Sequence, residues 1–362
     1  MGSREHPWAA LNRDSRNHLH KPDLTRDARP ERKPPNSNIP LMGRSSVLCS
    51  ELQSRVMSFD LFFCWDRPER INFEAVCSWS DGLACFKRND SQLWYSNEDT
   101  GVYFSLDFEG KQPAGGERPE IPEGYFDTGL SFNLNFNRPS YFGYEAMPVV
   151  ENLSMGFGLS AFDPQARDSE HLLLRDVTAH DLLQGWLENN RNAILAMIEQ
   201  AGLETPPQML LEKSMYRWSY SNKRKDLQRK CGDQIVVPTL SPIRRRGSSQ
   251  AQLAFAYTQD VPCLVPNCDW VLIVRKKEAH FWSATSSEVG ILSARRFREL
   301  VSEHLKSFDS NEGSLQVLSP KATLDLKKRI QNCKFEYPKE EFEVLALDGF
   351  VDIEMGPGSR PN

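Results

Sequence analysis

The stretch Leu130–Asn137 reads LSFNLNFN, in which apolar and polar residues alternate without a break. A period of two is typical of a β-strand with one buried and one solvated face. Residues Val102–Phe108, VYFSLDF, repeat the pattern. Strands of a parallel sheet are usually apolar on both faces, so these two stretches predict an antiparallel sheet that is covered on one side.

The segments around these stretches supply another strand and a cover. Ser58–Trp65, SFDLFFCW, also alternates and predicts a strand. The segment from Pro139 to Gly156 carries an imperfect helical stripe and predicts the covering helix, since proline is tolerated in a first helical turn. Pro148 lies inside it, so we expect a kink or a break there.

The second half of the chain predicts another set of helices and strands. Thr178 and Asp181 resemble a capping box, and the apolar stripe that follows ends before Gly202. A more basic helix is expected from about Met209 to Lys230. Beyond it, the patterns predict strands at 234–239, 253–258 and 270–275, a helix from Ser293 with His304 on its buried apolar face, a helix from Ser319-Pro320, and a strand at 342–353.

Together these patterns predict an α+β fold with antiparallel or mixed sheets covered by helices, in two packed lobes behind a disordered N-terminal tail. The tail holds six prolines and no apolar periodicity, and Met57 directly precedes the first strand, so the tail need not belong to the natural product. The predicted divisions are a tail at 1–56, an N-terminal α+β lobe at 57–165, a connecting helical segment at 166–205, a C-terminal α+β lobe at 206–355 and a disordered end at 356–362.

Charge and cysteine usage limit the compartment and the partners. The net charge of −5 combines +4 in residues 1–56, from ten basic and six acidic residues, with −9 in the rest. No apolar run is long enough for a membrane helix, and eight cysteines in 362 residues are too few for a disulfide scaffold. We therefore expect a cytoplasmic protein with reduced thiols that does not bind a membrane.

The usual signatures of catalysis and cofactor binding are absent from the sequence. The seven histidines show no metal-ligand spacing, and no second pair of ligands follows Cys263 and Cys268. Neither G-x-S-x-G, a P-loop nor a dinucleotide fingerprint occurs. We expect no cofactor and no metal site, and no catalytic residue is identified.

One hairpin-like segment, Trp94–Phe104, can be interpreted in three ways. Asn97, Asp99 and Gly101 suit a turn between two aromatic strands. Glu98 and Asp99 could instead serve as a cation ligand or a general-base pair, as in a hydrolase or transferase that also uses tyrosines of the hairpin. The third interpretation is a partner-binding surface. Its candidate residues are Tyr95, Asn97, Glu98, Asp99 and Tyr103.

The segment Leu211–Gln250 is strongly basic within an acidic body. It holds ten Lys or Arg and three Asp or Glu, with aromatic residues at 216, 218 and 220. Such a segment can attract phosphates and stack on unpaired bases, can dock on an acidic protein, or can be a solvated helix followed by a flexible Arg-rich loop. Its candidate binding residues are Arg217, Trp218, Arg244, Arg245 and Arg246.

The hairpin motif Tyr95-x-Asn97-x-Asp99-Thr100-Gly101-Val102-Tyr103-Phe104, followed by the alternating strand that leads to Pro139, resembles uncharacterised bacterial proteins of the toxin-immunity kind. The spacing of Val237-Pro238, Leu264-Val265-Pro266 and Asp269 adds to the resemblance. It implies a cytosolic α+β protein that neutralises a protein partner, a toxin, by binding it. It supplies no catalytic residues.

These observations favour a non-enzymatic, protein-binding factor, of the kind represented by bacterial immunity or accessory proteins. The hairpin turn and the basic segment are its predicted interface. Two alternatives remain open: a hydrolase or transferase that uses the acidic and tyrosine residues of the 95–103 hairpin, and a nucleic-acid-binding protein that uses the basic 211–250 segment.

Overall fold

The alternating stretches form the centre of an antiparallel sheet, as predicted. The protein is described by a computed structural model over residues 58–108, 120–166, 173–199, 205–259, 261–276, 287–308, 315–318 and 320–352. The tail at 1–56 and the end at 356–362 lie outside these residues. The described part is α+β, which confirms the predicted fold class.

The N-terminal sheet has seven strands in the order β2-β3-β4-β5-β1-β6-β7, and its neighbouring strands pair antiparallel. The strands are β1 (Ser58–Trp65), β2 (Phe86–Arg88), β3 (Gln92–Ser96), β4 (Tyr103–Phe108), β5 (Phe126–Asn135), β6 (Ser160–Phe162) and β7 (Leu173–Leu174). Phe104, Leu106, Phe132 and Leu134 are at most 2% exposed. Their polar neighbours lie on the opposite face, so the predicted alternation is confirmed. That face is less solvated than predicted, because Ser105 is 4% exposed, Ser131 is 9% exposed and the other polar residues there are half-buried.

Three helices accompany this sheet: α1 (Phe73–Ser80), α2 (Tyr141–Phe157) and α3 (Ala179–Glu199). Helix α2 continues through Pro148, so the expected break does not occur. Pro148 lies on the exposed side, while Met147 and Val150 are fully buried on either side of it and anchor both halves of the helix. Thr178 caps α3, because its Oγ1 accepts the amide hydrogen of Asp181 at 3.1 Å.

The C-terminal half contains α4 (Leu211–Cys231), α5 (Ala294–Val301) and α6 (Pro320–Asn332). Its larger sheet has six strands in the order β15-β12-β11-β9-β8-β16, and β9 and β11 are parallel, so the sheet is mixed. Its smaller sheet has the order β10-β14-β13. The strands are β8 (Ser241–Arg245), β9 (Ala251–Thr258), β10 (Cys263–Val265), β11 (Trp270–Lys276), β12 (Ser287–Ser293), β13 (Leu305–Ser307), β14 (Gln316–Leu318), β15 (Tyr337–Pro338) and β16 (Phe342–Val344).

Three predicted elements differ from the structure. Residues 234–239 form a loop with a single bridge, from Val236 to Cys263. The side chain of Gln228 bonds the carbonyl of Ile235 and the amide of Val237, so these groups are not used by a strand. The strand expected at 342–353 is limited to β16. Helix α5 ends at Val301 and a 3-10 turn follows, so His304 is only partly buried, and its Nε2 has no hydrogen-bond partner.

Two hydrophobic clusters make up the core of the described residues. The first contains the dry face of the N-terminal sheet, α1 and α2, and also Ala251, Leu253 and Phe350 from the C-terminal half. The second lies between α4, the six-stranded sheet, α5 and α6. The described residues from Ser58 onward form one compact unit, and the predicted lobe boundaries stay predictions. No helix in the described part of the chain is long and apolar enough to span a bilayer.

Candidate binding site

The hairpin turn, residues 97–101, connects β3 and β4 and is held by its own polar groups. The Gly101 amide donates to the Asn97 carbonyl at 2.7 Å, and the Asp99 amide donates to Asn97 Oδ1 at 3.1 Å. Gly101 adopts a φ of 82°, which a residue with a side chain reaches only with strain. The turn predicted from Asn, Asp and Gly is therefore present.

Glu145 of α2 lies next to the turn, and its carboxylate accepts four hydrogen bonds. Its Oε1 accepts from Tyr95 Oη at 2.8 Å, Asn97 Nδ2 at 2.8 Å and Thr100 Oγ1 at 3.0 Å. Its Oε2 accepts from Trp218 Nε1 of α4 at 2.6 Å. We call these five side chains the polar cluster. It joins the hairpin, α2 and α4, which are far apart in the sequence.

The polar cluster is suited to structure rather than to proton transfer. A carboxylate offers about four lone-pair positions, and all four donors come from the protein itself. Burial raises the pKa of Tyr95 well above its usual range, and the charge of Glu145 adds to the shift. Tyr95 therefore stays protonated and is a poor base. Three of the four donors bond Oε1 of Glu145 and one bonds Oε2, so the carboxylate is held mainly by the hairpin.

The two acidic residues of the turn have different surroundings. Glu98 is exposed. Asp99 is half-buried and pairs with Arg224 Nη2 at 2.9 Å and with Lys225 Nζ at 2.8 Å, both on α4. Burial alone would raise the pKa of Asp99, but the hydrogen bonds from Lys225 and Arg224 outweigh it and lower that pKa. Asp99 thus stays ionised and holds the turn against the basic helix.

Arg217 of α4 is a buried cation between the turn and α2. It is 0% exposed, and its Nη1 donates to the Thr100 carbonyl at 3.1 Å and to Tyr141 Oη at 3.3 Å. Its Nε and Nη2 have no hydrogen-bond partner. Burial lowers the pKa of Arg217, while the charge of Glu145 opposes that shift. Arg217 is therefore an internal link and is not available on the surface to an incoming partner.

Tyr103 is linked to the C-terminal segment, residues 345–352. Its hydroxyl accepts from Arg138 Nη2 at 2.6 Å and donates to Asp348 Oδ2 at 3.1 Å. In the same segment, the Leu347 carbonyl accepts a hydrogen bond from the Tyr141 hydroxyl at 2.5 Å. Leu347 lies so close to Gly101 that a Cβ at that glycine would collide with it. The end of the described chain therefore packs against the hairpin turn.

The three consecutive arginines at 244–246 belong to a different part of the fold. Arg244 and Arg245 are in strand β8 rather than in the expected flexible loop. Each arginine meets acidic residues next to or within β16: Arg244 and Arg246 contact Glu343, and Arg245 contacts Glu341 at 2.7 Å. These pairs offset their charge. The structure thus brings the hairpin together with α4 but not with residues 244–246.

Thiol and metal chemistry receive no support from the described residues. Burial raises the pKa of Cys263 to about 12, and it also raises the pKa of Cys268 to about 12, so both stay as thiols. The seven cysteines in the described ranges are free. No group of three or more His, Cys, Asp or Glu within those ranges is placed to hold a metal ion.

The sequence patterns missed Glu145 and the C-terminal segment. Glu145 is a lone acid in the predicted apolar stripe of α2, one helical turn after Tyr141, and this is the signal that could have identified it. No comparable signal marks Leu347 or Asp348, because their roles depend on where the chain returns.

Comparison of the chain with protein-family models, with curated proteins and with solved structures finds no match.

Proposed function

We propose that the protein is a non-enzymatic factor of the bacterial cytoplasm that binds an acidic surface of a protein partner. Its role is that of an immunity or accessory protein, which neutralises the partner, a toxin, by covering it. The observation that carries the proposal is the charge of α4 beside the hairpin turn. In this basic helix end, residues 222–230, five basic side chains accompany one acidic side chain, Asp226: Lys223, Arg224, Lys225, Arg229 and Lys230.

The basic helix end is accessible and adjoins the turn. Lys225 is 78% exposed although it pairs with Asp99, and Arg229 is 80% exposed although it pairs with Asp226. Five basic side chains against these two carboxylates leave the helix end with a net positive charge. Arg224 and Lys225 share the single carboxylate of Asp99, so these three side chains together keep one positive charge. Such charges accelerate the encounter with an oppositely charged surface and discriminate against basic proteins. The predicted interface of turn and basic segment is therefore reduced to the turn and α4, without residues 244–246.

The nucleic-acid alternative is weakened because none of its three aromatic residues is fully exposed: Tyr220 is buried, and Tyr216 and Trp218 are half-buried. Tyr220 is 4% exposed, and its hydroxyl donates to the Pro238 carbonyl. The hydroxyl of Tyr216 accepts the Asn267 amide, and the indole N–H of Trp218 is held by Glu145. Binding of single strands relies on exposed aromatic faces next to the charge. The basic helix end offers charge without such faces, which favours an acidic protein.

The enzyme alternative is weakened by the partners of the hairpin acids. Asp99 faces two cations, and Glu98 is exposed on the turn. A general-base pair needs a group whose pKa lies near the working pH. The pKa of Asp99 is instead lowered further below that range. The tyrosines of the hairpin are hydrogen-bonded to Glu145 and Asp348 and are not free to act as acids.

The proposal is tested with a fluorescein-labelled polyglutamate peptide, which represents a minimal acidic protein surface, and with a labelled oligothymidylate of equal charge. Binding of each to the full chain is measured by anisotropy at low and at physiological salt. The matched variants are Lys225→Glu/Arg229→Glu on α4 and Arg295→Glu/Arg296→Glu on α5. The second pair makes the same charge change at side chains that are 90% and 61% exposed.

We expect polyglutamate to bind more tightly than oligothymidylate, and the α4 variant to lose at least about tenfold in affinity while the α5 variant stays close to the parent. Tighter binding of oligothymidylate would replace this proposal with the nucleic-acid alternative. No binding of polyglutamate at low salt, or equal losses in both variants, would contradict it. Proteins captured from a bacterial host by the parent but not by the α4 variant then identify the partner.

A further inference from the structure

An apolar stripe on α2 lies on the same side of the molecule as Trp218. It consists of Tyr144, Pro148 and Met155, which are spaced four and seven residues apart and therefore share one face of the helix. Tyr144 is 40% exposed, Met155 is 76% exposed, and Pro148 is also exposed. The stripe is about 16 Å long, at 1.5 Å per residue. Single exposed apolar residues are ordinary, but three that share one helix face are a feature of interaction surfaces. Tyr144 and Pro148 are one helical turn apart, and Met155 follows two turns later with Glu151 and Asn152 between them.

The stripe borders a groove and a fixed aromatic ring. A shallow groove of about 410 Å³ is lined by Pro148, Glu151, Asn152, Met155 and Gly156. At the other end, the ring of Tyr144 lies 6.3 Å from the ring of Trp218. Trp218 is fixed by its hydrogen bond to Glu145, so it does not have to be ordered when a partner binds. Preformed aromatic anchors of this kind carry much of the binding energy in protein interfaces.

The charge next to the stripe defines what can cover it. From Trp218, the same face of α4 continues to Lys225, seven residues later, and to Arg229, eleven residues later. The surface is thus apolar along α2 and basic along the end of α4. A partner segment that fits this surface carries apolar side chains opposite α2 and acidic side chains, at one of its ends, opposite the end of α4.

We propose that the stripe is the docking site for an acidic amphipathic helix of the protein partner. This inference rests on the proposed function and specifies the partner's contact segment. About three helical turns of the partner cover Tyr144, Pro148 and Met155, and its acidic end lies over Lys225 and Arg229. An exposed helix face recognises such a segment through side chains at i, i+3, i+4 and i+7, whose apolar groups fill the groove beside Pro148.

The test is a phage-displayed library of random helical peptides, selected against the full chain. Selected peptides are then measured by anisotropy against the parent, against Met155→Asp and against Val236→Asp. Val236 is an exposed apolar residue, at 45%, outside the stripe, so it is the matched control. Both variants change exposed side chains, and thermal melting verifies that each is folded.

We expect the selected peptides to be amphipathic with acidic residues clustered at one end. Met155→Asp is expected to lower their affinity at least tenfold, whereas Val236→Asp leaves it within twofold. The inference is overturned if no selected peptide depends on Met155, if the selected sequences show no acidic end, or if light scattering detects a dimer of the chain that Met155→Asp dissociates, since the stripe then binds a second copy. The polyglutamate assay separates this outcome from failure of the proposed function: if polyglutamate binding still depends on α4 while no selected peptide depends on Met155, the function is supported and only the stripe is rejected.

Discussion

Replacement of Gly101 by alanine tests how tightly the C-terminal segment presses on the hairpin turn. The backbone there has a φ of 82°, and a side chain in that region costs about 1 kcal/mol or slightly more. The new Cβ would also collide with the Leu347 side chain. Overpacking of this kind costs about 1–3 kcal/mol, so Gly101→Ala should lower the free energy of unfolding by about 2–4 kcal/mol.

Leu347 has little freedom to move away. Its carbonyl accepts the Tyr141 hydroxyl at 2.5 Å, and the adjoining Asp348 accepts from Tyr103 at 3.1 Å. A shift of the segment would break these bonds, which keeps the collision expensive. The turn itself would have to move away from Arg217, which donates to the Thr100 carbonyl.

Gly124 supplies the control that separates backbone strain from collision. Its φ is 87°, nearly that of Gly101, but a Cβ there would meet nothing within 4 Å. Gly124→Ala should therefore cost only the backbone strain, about 1 kcal/mol or less once the reduced entropy of the unfolded chain is included. Urea denaturation followed by tryptophan fluorescence gives both free energies. Agreement of the two variants within about 0.5 kcal/mol would show that Leu347 does not press on the turn.

Three further predictions concern the carboxylates of the site. Glu98→Ala should change stability by less than about 0.5 kcal/mol, as is usual for exposed side chains, and a larger loss in urea denaturation would show that Glu98 has a structural role. Glu145→Gln places an amide donor against the donors that now bond the carboxylate and should cost about 1–3 kcal/mol. An unchanged unfolding midpoint would show that these hydrogen bonds do not stabilise the fold. The pKa of Asp99 is lowered in the folded state, so its stabilising contribution is present above its unfolded pKa of about 4 and is lost as the pH falls through the folded value. The stability difference between the parent and Asp99→Asn should therefore be largest near neutral pH and shrink in acid, and a difference that stays constant from neutral pH into acid would contradict the ion pairs.

Local patterns in the sequence were enough to determine the central strands β1, β4 and β5 and their orientation toward the core, whereas the strand expected at 234–239 is a loop. The alternation in Val102–Phe108 and Leu130–Asn137 places every second side chain on one face, and burial of that face stabilises one register over the other. The same holds for α3, because the capping bond of Thr178 involves residues only three positions apart. Pro148 shows the limit of this reasoning: its local preference for a break is outweighed by the buried residues on either side of it.

The composition of the site was decided by tertiary structure. The pairing of Asp99 with Arg224 joins residues 125 positions apart, and Tyr103 meets Asp348 across 245 positions. The sequence contains no periodicity that links such residues, since their proximity depends on how α4 and the C-terminal segment pack against the first hydrophobic cluster. The two arginine groups of the basic segment illustrate the same point. They are near each other in the sequence, but one adjoins the hairpin and the other is paired with acids next to and within β16, because helix α4 and strand β8 belong to different packing layers.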